Sequence, residues 1–337
     1  MTSRPTLVQV AEHAGVSVAS ASRALNGASA SLEMVERVEA AAAQLGYVAD
    51  VMARSLKVGR TEQLALSVAD LGNPVYVTMM RAVETVVRGA GYRLVLSSTG
   101  SDAEEEIQIL RNLNRGYADG LMMSPLRITP GLITELSASR LPLVVVGTLP
   151  AGVKVDNVRA NSPRGIGLAV DHLVGTGRRR IAFLNGPLDT VPGARRARGF
   201  ARACRAAGLP DTQPRVLAED FTHDAGQRAA EELLDGPLPD ALLCANDLLA
   251  VGAMRTLLRR GVRVPEQVAV VGMDDTDLAR QCTPSLTSVS LGSAERGRLA
   301  ATLLLERLAD PDKPPRRVTV QPRLSIRESS STGGPRT

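Results

Sequence analysis

The 337-residue sequence is poor in aromatic side chains, which make up 2% of it, and it contains no tryptophan. Its core must therefore pack mainly from Ala, Val and Leu, and an apolar fraction of 44% allows a sizeable one. The three cysteines (Cys204, Cys244 and Cys282) are far apart and form no CxxC pair, and there are only three histidines. We therefore expect no disulfide framework and no zinc site, and a reducing compartment.

Long apolar runs are also missing. Residues 1–10 hold one arginine and no apolar stretch typical of a signal peptide, and no run is long enough to span a membrane. These absences predict a cytoplasmic protein with no membrane partner. The chain has no P-loop, no GxSxG and no Cys–His arrangement, so we predict no catalytic residue, no metal, no cofactor and no enzyme activity.

The net charge of the chain allows a nucleic-acid partner but does not by itself indicate one. A formal net charge of +5 would allow a polyanionic partner, but residues 1–60 contain six basic and five acidic side chains. Any prediction of nucleic-acid binding must therefore depend on pattern.

The first fifty residues have the pattern of three short helices. Thr6 and Ser17 are suitable N-caps for the first two, Gly15 suits the turn between them, and the third runs from Ser31 to Gly46. Apolar residues recur at helical spacing in each segment: Leu7, Val10, Ala11 and Ala14; Ala21 and Leu25; Val35, Val38, Ala42 and Leu45. A helix, a tight turn with glycine and a second capped helix predict a helix-turn-helix.

After Gly59, apolar segments of strand length alternate with helical segments, from 64–68 through 268–272. Near-continuous apolar strands separated by helices indicate parallel sheets covered on both faces. About ten such units exceed one ordinary sheet, so the fold class is a small all-α helix-turn-helix domain followed by an α/β core of two doubly wound parallel-sheet lobes.

Several motifs occur in one order along the chain: TLVQVAEHAGVSVASASRALNG at 6–27, RRIAFLNGP at 179–187, ANDLLAVGAM at 245–254 and RVPEQVAVVGMDD at 263–275. In this order and spacing, residues 6–328 resemble the LacI/GalR family of bacterial transcriptional regulators. The resemblance implies a periplasmic-binding-protein-like core and five parts: a DNA-binding domain at 1–49, a hinge helix and linker at 50–60, a first lobe at 61–160 with 291–320, a second lobe at 161–290 with 321–328, and a disordered tail at 329–337.

The second helix would enter the major groove of DNA. Val18 and Ala19 match the family's main specificity positions and can contact thymine methyl groups, whereas Arg23 can make a bidentate contact to guanine. Alternatively, Ser17 only caps the helix and Arg23 is a solvated charge. The predicted DNA-binding residues of this domain are Thr6, Ser17, Val18, Ala19, Ser20, Ser22, Arg23 and Asn26.

Residues 50–58 correspond to the family's hinge helix. Nine residues are too few for a stable isolated helix, so DNA and a second chain must order them. Leu56 would be an apolar wedge between base steps, with Ala53 beside it and Arg54 also at the DNA; the less favoured alternative is that Leu56 is an ordinary linker residue.

Three departures from the family bear on DNA affinity. Ala49 stands where proline is usual, Asp50 where asparagine is usual, and Met34-Val35 replaces a common Thr-Arg pair. Fewer cations release fewer counterions, so we expect weaker and less salt-dependent DNA binding than in a typical member.

A cleft between the lobes would hold a small-molecule effector, sugar-like by the resemblance. Tyr76 could turn towards this pocket or towards the core, and Asp274 is preferred over Asp275. Val75, Asn161 and Leu291 depart from common family residues, which makes the expected pocket more apolar. The matching effector positions are Asp70, Asn73, Tyr76, Asn161, Arg196, Phe221, Asn246 and Asp274.

The predicted function is that of a sequence-specific regulator, a repressor controlled by its effector. Because operators are pseudo-palindromic, a homodimer on double-stranded DNA is expected, and the absence of C-terminal heptads favours a dimer over a tetramer. Whether the effector induces or corepresses stays open. The alternative is a sugar-binding protein of the same core fold without a regulatory DNA role.

Overall fold

The computed structural model describes residues 5–25, 30–48, 59–100 and 102–331. The chain divides into two units, Met1–Thr61 and Glu62–Thr337. The predictions for Asn26, for the hinge residues Ala53, Arg54 and Leu56, and for the departures at Ala49 and Asp50 lie outside the described residues.

The N-terminal unit contains the three predicted helices: α1 (Leu7–His13), α2 (Val18–Leu25) and α3 (Leu32–Leu45). Thr6 caps α1 in a capping box with Gln9, and Gly46 ends α3 in the left-handed conformation at φ 64°. Gly15, at φ 63°, makes the turn between α1 and α2. Val10, Ala21 and Val38 meet in the core of this unit, so the predicted apolar faces are the ones that pack.

The larger unit contains two six-stranded sheets. The first lobe has the strand order β11-β5-β4-β3-β1-β2, and all of its strands are parallel. Its elements are β1 (Gln63–Val68), α4 (Pro74–Gly89), β2 (Arg93–Ser98), α5 (Ala103–Leu113), β3 (Gly120–Ser124), α6 (Pro130–Ala138), β4 (Leu143–Val146), β5 (Asp156–Ala160), α12 (Ser293–Ala309) and β11 (Arg317–Val320).

The second lobe has the order β12-β10-β9-β8-β6-β7, with only β12 antiparallel. Its elements are α7 (Ser162–Gly175), β6 (Ile181–Asn185), α8 (Val191–Ala206), β7 (Arg215–Leu217), α9 (His223–Leu234), β8 (Ala241–Cys244), α10 (Asp247–Arg259), β9 (Ala269–Met273), α11 (Asp277–Gln281), β10 (Thr287–Ser290), β12 (Arg323–Ser325) and a 3₁₀ turn (Glu328–Ser330).

The chain crosses between the lobes three times, after β5, β10 and β11. Ligand sites in such parallel sheets form outside the carboxyl ends of the strands, so this connectivity places a cleft between the two lobes. Phe183 and Phe200 stack at 4.8 Å between ring centroids in the core of the second lobe. None of the helices in the described ranges is long and apolar enough to cross a membrane.

The prediction of a disordered tail from residue 329 is wrong at its start. Ser329 and Ser330 are buried. The Ser329 hydroxyl accepts from Thr287 N at 2.8 Å and donates to the Val270 carbonyl at 2.6 Å, so it bridges β9 and β10. Ser330 is hydrogen-bonded to His172 and to Thr287. A serine-rich composition indicated disorder, but these hydroxyls find buried partners in the sheet; residues 332–337 lie outside the described ranges.

Candidate functional site

The helix α2 presents one polar row to solvent. The Ser17 hydroxyl accepts from Ser20 N at 3.1 Å, which caps the helix, and donates to Ser20 Oγ at 2.9 Å. Arg23 Nη2 in turn donates to Ser20 Oγ at 3.3 Å. These bonds hold the Arg23 guanidinium on the exposed face of α2, one turn from its start.

The other predicted DNA-binding residues of this domain differ in solvent exposure. Val18 is 43% exposed and Ala19 is exposed, so both can meet a base edge. Ser22 is half-buried on the next turn. Thr6 is engaged in the cap of α1 through its side chain. The exposed set is therefore Ser17, Val18, Ala19 and Arg23.

A cavity of about 570 Å³ lies between the two lobes of the larger unit. It opens at the carboxyl ends of the strands, as the sheet topology requires. Seven of the eight predicted effector residues line it: Asp70, Asn73, Tyr76, Arg196, Phe221, Asn246 and Asp274.

Asn161 is the exception, and its prediction needs correction. Its side chain caps α7, where Oδ1 accepts from Arg164 N at 3.4 Å, and it does not line the cavity. Residue types that suit a ligand site also suit a helix N-cap; Asn73 and Asn246 do both, whereas Asn161 caps its helix without lining the cavity. Its neighbours Ala160 and Ser162 line the cavity instead.

Two cavity residues also shape their own loops. Asn73 caps α4 by accepting from Val75 N at 3.2 Å. Asn246 caps α10 by accepting from Leu249 N at 2.9 Å, and its amide donates to the Phe221 carbonyl at 2.8 Å. The Phe221 ring lies over Gly186, where a Cβ atom would come within 2.4 Å of it. Asn246 and the bare Gly186 backbone together place this flat apolar surface at the cavity.

The inner end of the cavity carries buried charge. Arg196 Nη2 on α8 lies 3.7 Å from Asp274 Oδ1, which follows β9. Burial raises the pKa of the Asp274 carboxyl, and the charges of Arg196 and Arg296 oppose that rise. Asp274 also has a φ of 109°, a strained value for a residue with a side chain. The fold therefore stores both strain and buried charge at this position, as functional sites often do.

The structure resolves two choices that the sequence left open. Asp275 is bound to Arg327 and accepts from Ser325 Oγ at 2.9 Å, so it supports the second lobe, whereas Asp274 faces the cavity. Tyr76 both lines the cavity and packs on the core of the first lobe. Burial raises the pKa of its hydroxyl, which is hydrogen-bonded to Ser124.

A second buried carboxyl lies behind the first. Asp247 accepts from Ser288 Oγ at 2.5 Å and from both the backbone and the hydroxyl of Thr276 at 2.8 Å. Burial, followed by the charge of Asp274, raises its pKa to about 7. Its hydrogen bonds tie the start of α10 to the loop that carries Asp274.

Of the basic residues of the cavity, sequence reasoning predicted Arg196 but missed the others. Arg195, next to Arg196, and Arg296 on α12 both line it. A signal for Arg296 was present: it is three residues after Ser293 and four before Ala300, both on the buried face of α12. A charged residue beside the buried stripe of an amphipathic helix indicates a site.

The two lobes touch at one edge of the cavity. Val191 N donates to the Leu126 carbonyl at 2.7 Å, and Arg127 Nε donates to Asp189 Oδ2 at 2.7 Å. Leu126 N donates to Glu106 Oε1 at 3.0 Å. Burial raises the pKa of Glu106 to about 7, and its second oxygen has no partner among the described residues.

Comparison with known proteins decides the family. The model for bacterial regulatory proteins of the lacI family matches residues 6–50, and the model for periplasmic binding protein-like domains matches residues 170–330. The HTH-type transcriptional regulator CelR of Thermobifida fusca is 36% identical over 336 residues, which cover 97% of this chain and 98% of that protein. The chain belongs to the LacI family of bacterial regulatory proteins.

Solved structures of LacI-family proteins agree over nearly the whole length. A complex of the transcriptional regulator CelR with cellobiose is 34% identical, with a TM-score of 0.73 and coverage of 97% of this chain and 100% of that one. A Lac repressor dimer bound to operator and the anti-inducer ONPF is 26% identical, with a TM-score of 0.86 and coverage of 97% and 99%. The predicted family and fold class are thereby confirmed, and this LacI-family chain is a DNA-binding transcriptional regulator.

Proposed function

We propose that this LacI-family protein represses transcription as a homodimer on a pseudo-palindromic operator, and that a sugar-related molecule in the interlobe cavity controls its affinity for that operator. The observation that carries the proposal is the cavity itself, because both lobes supply its walls and the buried Arg196–Asp274 pair lies at its inner end. The cellobiose complex and the operator complex of its relatives support the same pairing of ligand and DNA.

The exposed row on α2 would read the operator. Arg23 would make a bidentate contact to guanine, worth about 1–3 kcal/mol of discrimination, while Val18 and Ala19 contact thymine methyl groups. Ser17 and Ser20 would set its register through phosphates and the position of Arg23. Ala53, Arg54 and Leu56 stay the proposed minor-groove residues of the hinge.

The edge of the first sheet favours a second copy as the partner. β2 is the outermost strand, and its Val95 and Leu96 are each 39% exposed. Exposed apolar residues on an unpaired edge strand are a hazard unless another surface covers them. We infer that a second chain covers this edge.

Control would follow from linkage between the cavity and the DNA-binding helices. A ligand that contacts both lobes changes the balance between open and closed lobes, and so acts on the Leu126–Val191 contact at the cavity edge. In this function the cavity binds its ligand without converting it, and the protein acts in the cytoplasm, where its DNA is.

The test begins with genomic DNA. Fragments retained by the purified protein are sequenced, and sugars are then screened for those that change retention; the proposal expects a pseudo-palindromic motif and at least one active sugar. Arg23→Ala should lower affinity for that motif about tenfold or more, whereas Arg88→Ala, an exposed arginine of the larger unit, should leave it unchanged.

Retention without sequence preference would contradict the regulator and favour the alternative, a sugar-binding protein without a regulatory DNA role. Recovery of a chemically altered sugar after incubation would contradict the assignment to binding.

A further inference from the structure

The inner end of the interlobe cavity contains more positive charge than Asp274, the carboxylate that lines it there, neutralises. Arg195 and Arg196 reach the cavity from α8 in the second lobe, and Arg296 reaches it from α12 in the first. The Nε atom of each is buried and has no hydrogen-bond partner among the described residues. Arginine presents its donors in a fixed fork that matches carboxylate and phosphate oxygens.

The carboxylates nearby do not balance these cations. Asp274 lies 3.7 Å from Arg196, and that is the one ion pair that the described residues provide for the three arginines. At the mouth, Glu219 is bound to Arg228, and Asp220 accepts from the backbone and hydroxyl of Thr222.

The remaining charges at the mouth do not alter this balance. Asp70 is exposed, and the cation Arg127 is paired with Asp189. Arg195 is half-buried, and its charged neighbours are Arg159 and Arg198 rather than Asp274. With Asp274 ionised, the inner end therefore carries two cations, Arg196 and Arg296, and one anion. Burial raises the pKa of Asp247, behind Asp274, to about 7, so this carboxyl offsets the remaining cation only where it is ionised.

An unpaired guanidinium in such a place is costly. A charge removed from water is disfavoured unless it has a partner, and burial accordingly lowers the pKa of Arg296. Arg296 interacts electrostatically with Asp274, Tyr76 and Arg196, so it shares the inner end of the cavity with them. A ligand that brings negative charge there would remove the imbalance.

We propose that the ligand of this cavity carries an anionic group, a carboxylate or a phosphate, which Arg296 binds from the first lobe. This inference rests on the proposed function and specifies the chemistry of its effector. Asp274 and Asn246 then face the hydroxyl groups of the same molecule from the second lobe. Because Arg296 and Arg196 lie on opposite lobes, one anionic ligand draws the lobes together.

The test uses the full-length protein and matched neutral and charged probes. D-Glucose, D-galactose and D-ribose are each compared by calorimetry with their aldonates and their sugar phosphates at one fixed ionic strength. We expect at least one anionic derivative to bind tenfold or more tightly than its neutral parent, about 1.4 kcal/mol. The aldonate and phosphate arms separate the two sources of negative charge.

Two variants and a control assign the preference to one residue. Arg296→Met should lose the tenfold preference for the anionic derivative. Arg296→Lys keeps the positive charge but not the planar guanidinium donors, so it should retain part of that preference. Arg298→Met is the control, since Arg298 is exposed two residues further along the same helix and the same charge is lost.

Three outcomes overturn the proposal: no anionic probe binds, a neutral sugar binds as tightly as its derivatives, or Arg296→Met lowers neutral and anionic affinities by the same factor. The last would mean that Arg296 only supports the fold. Operator retention by the same preparation is measured without ligand, so failure of DNA binding and failure of the charge preference are recorded independently.

Discussion

Asp274 faces Arg196 at 3.7 Å, between Oδ1 and Nη2, and both side chains are less than one-tenth exposed. The distance is too long for a good hydrogen bond, so the two side chains interact by electrostatic attraction rather than through a well-aligned hydrogen bond. Such a pair leaves hydrogen-bonding capacity on both partners for a ligand, while each ion keeps the other from being buried alone.

This relationship predicts a non-additive effect on stability. Arg196→Met leaves Asp274 with one fewer cation and should lower the free energy of unfolding by about 2 kcal/mol. Adding Asp274→Asn to that variant should restore more than half of the loss, because the uncompensated carboxylate is then gone. Urea denaturation of the wild type, both single variants and the double variant measures the coupling. Purely additive costs would contradict a charge-held pair.

The packing of α9 on α10 predicts a large effect from one methyl group. A Cβ atom on Gly252 would lie 2.0 Å from the His223 carbonyl oxygen, so Gly252→Ala must push these helices apart and should cost about 3 kcal/mol. Gly167→Ala is the matched control: it also lies inside a helix of the second lobe, but nothing lies within 4 Å of its Cβ position.

Gly167→Ala should raise the free energy of unfolding by about 0.5–1 kcal/mol relative to wild type, because alanine reduces the conformational freedom of the unfolded chain. Thermal unfolding of both variants checks the pair. Equal effects of the two substitutions would show that helix propensity, and not close approach of the backbones, determines the cost.

Local signals account for what the sequence predicted well. Caps, turn glycines and apolar spacing act within a few residues, so the helices of the N-terminal unit and the alternation of strands and helices follow from them directly. Seven of the eight effector positions, all taken from the family resemblance, line the cavity. Asp70, Asn246 and Asp274 follow strand ends, where a parallel sheet gathers its loops, whereas Tyr76 and Arg196 lie on the helices α4 and α8.

The features that the sequence did not predict depend on contacts between distant parts of the chain. Ser329 is buried only because Val270 and Thr287 offer it partners some 59 and 42 residues away, which composition cannot show. Arg296 enters the cavity because the chain returns to the first lobe after β10. Its place beside the buried stripe of α12 indicates a site but does not show which cavity the site belongs to.

The near balance of charge in residues 1–60 predicts a shallow salt dependence of operator binding. With six basic and five acidic side chains, we expect the slope of log K against log salt to be shallower than about −6 for a dimer. The double substitution Met34→Thr and Val35→Arg adds one cation per chain at the start of α3 and should steepen the slope by about 1–2.

Both positions are half-buried, so the fold of the variant is verified by circular dichroism before the titration. Filter binding between 50 and 200 mM salt measures the slopes. A wild-type slope near −10 would contradict the prediction.

Glu106 predicts a pH dependence of stability with a definite sign. Burial raises its pKa in the folded protein to about 7 from an ordinary value of 4.5. Between these two pH values the unfolded chain has released the proton and the folded protein still holds it, so stability falls as pH rises from 4.5 to 7 and then levels off. The full loss is roughly 3 kcal/mol.

Glu106→Gln removes this titration but can keep the bond from Leu126 N, whose residue also contacts Val191 of the other lobe. The variant should therefore gain stability relative to wild type between pH 5 and pH 8, by about 2 kcal/mol. Glu105→Gln, an exposed neighbour on the same helix, controls for the loss of one charge. Urea denaturation at the two pH values measures this difference. If the difference in stability between Glu106→Gln and wild type does not change with pH, Glu106 is ionised in the folded protein across this range. The lobe contact at Leu126 would then depend on a buried carboxylate rather than on a protonated carboxyl group.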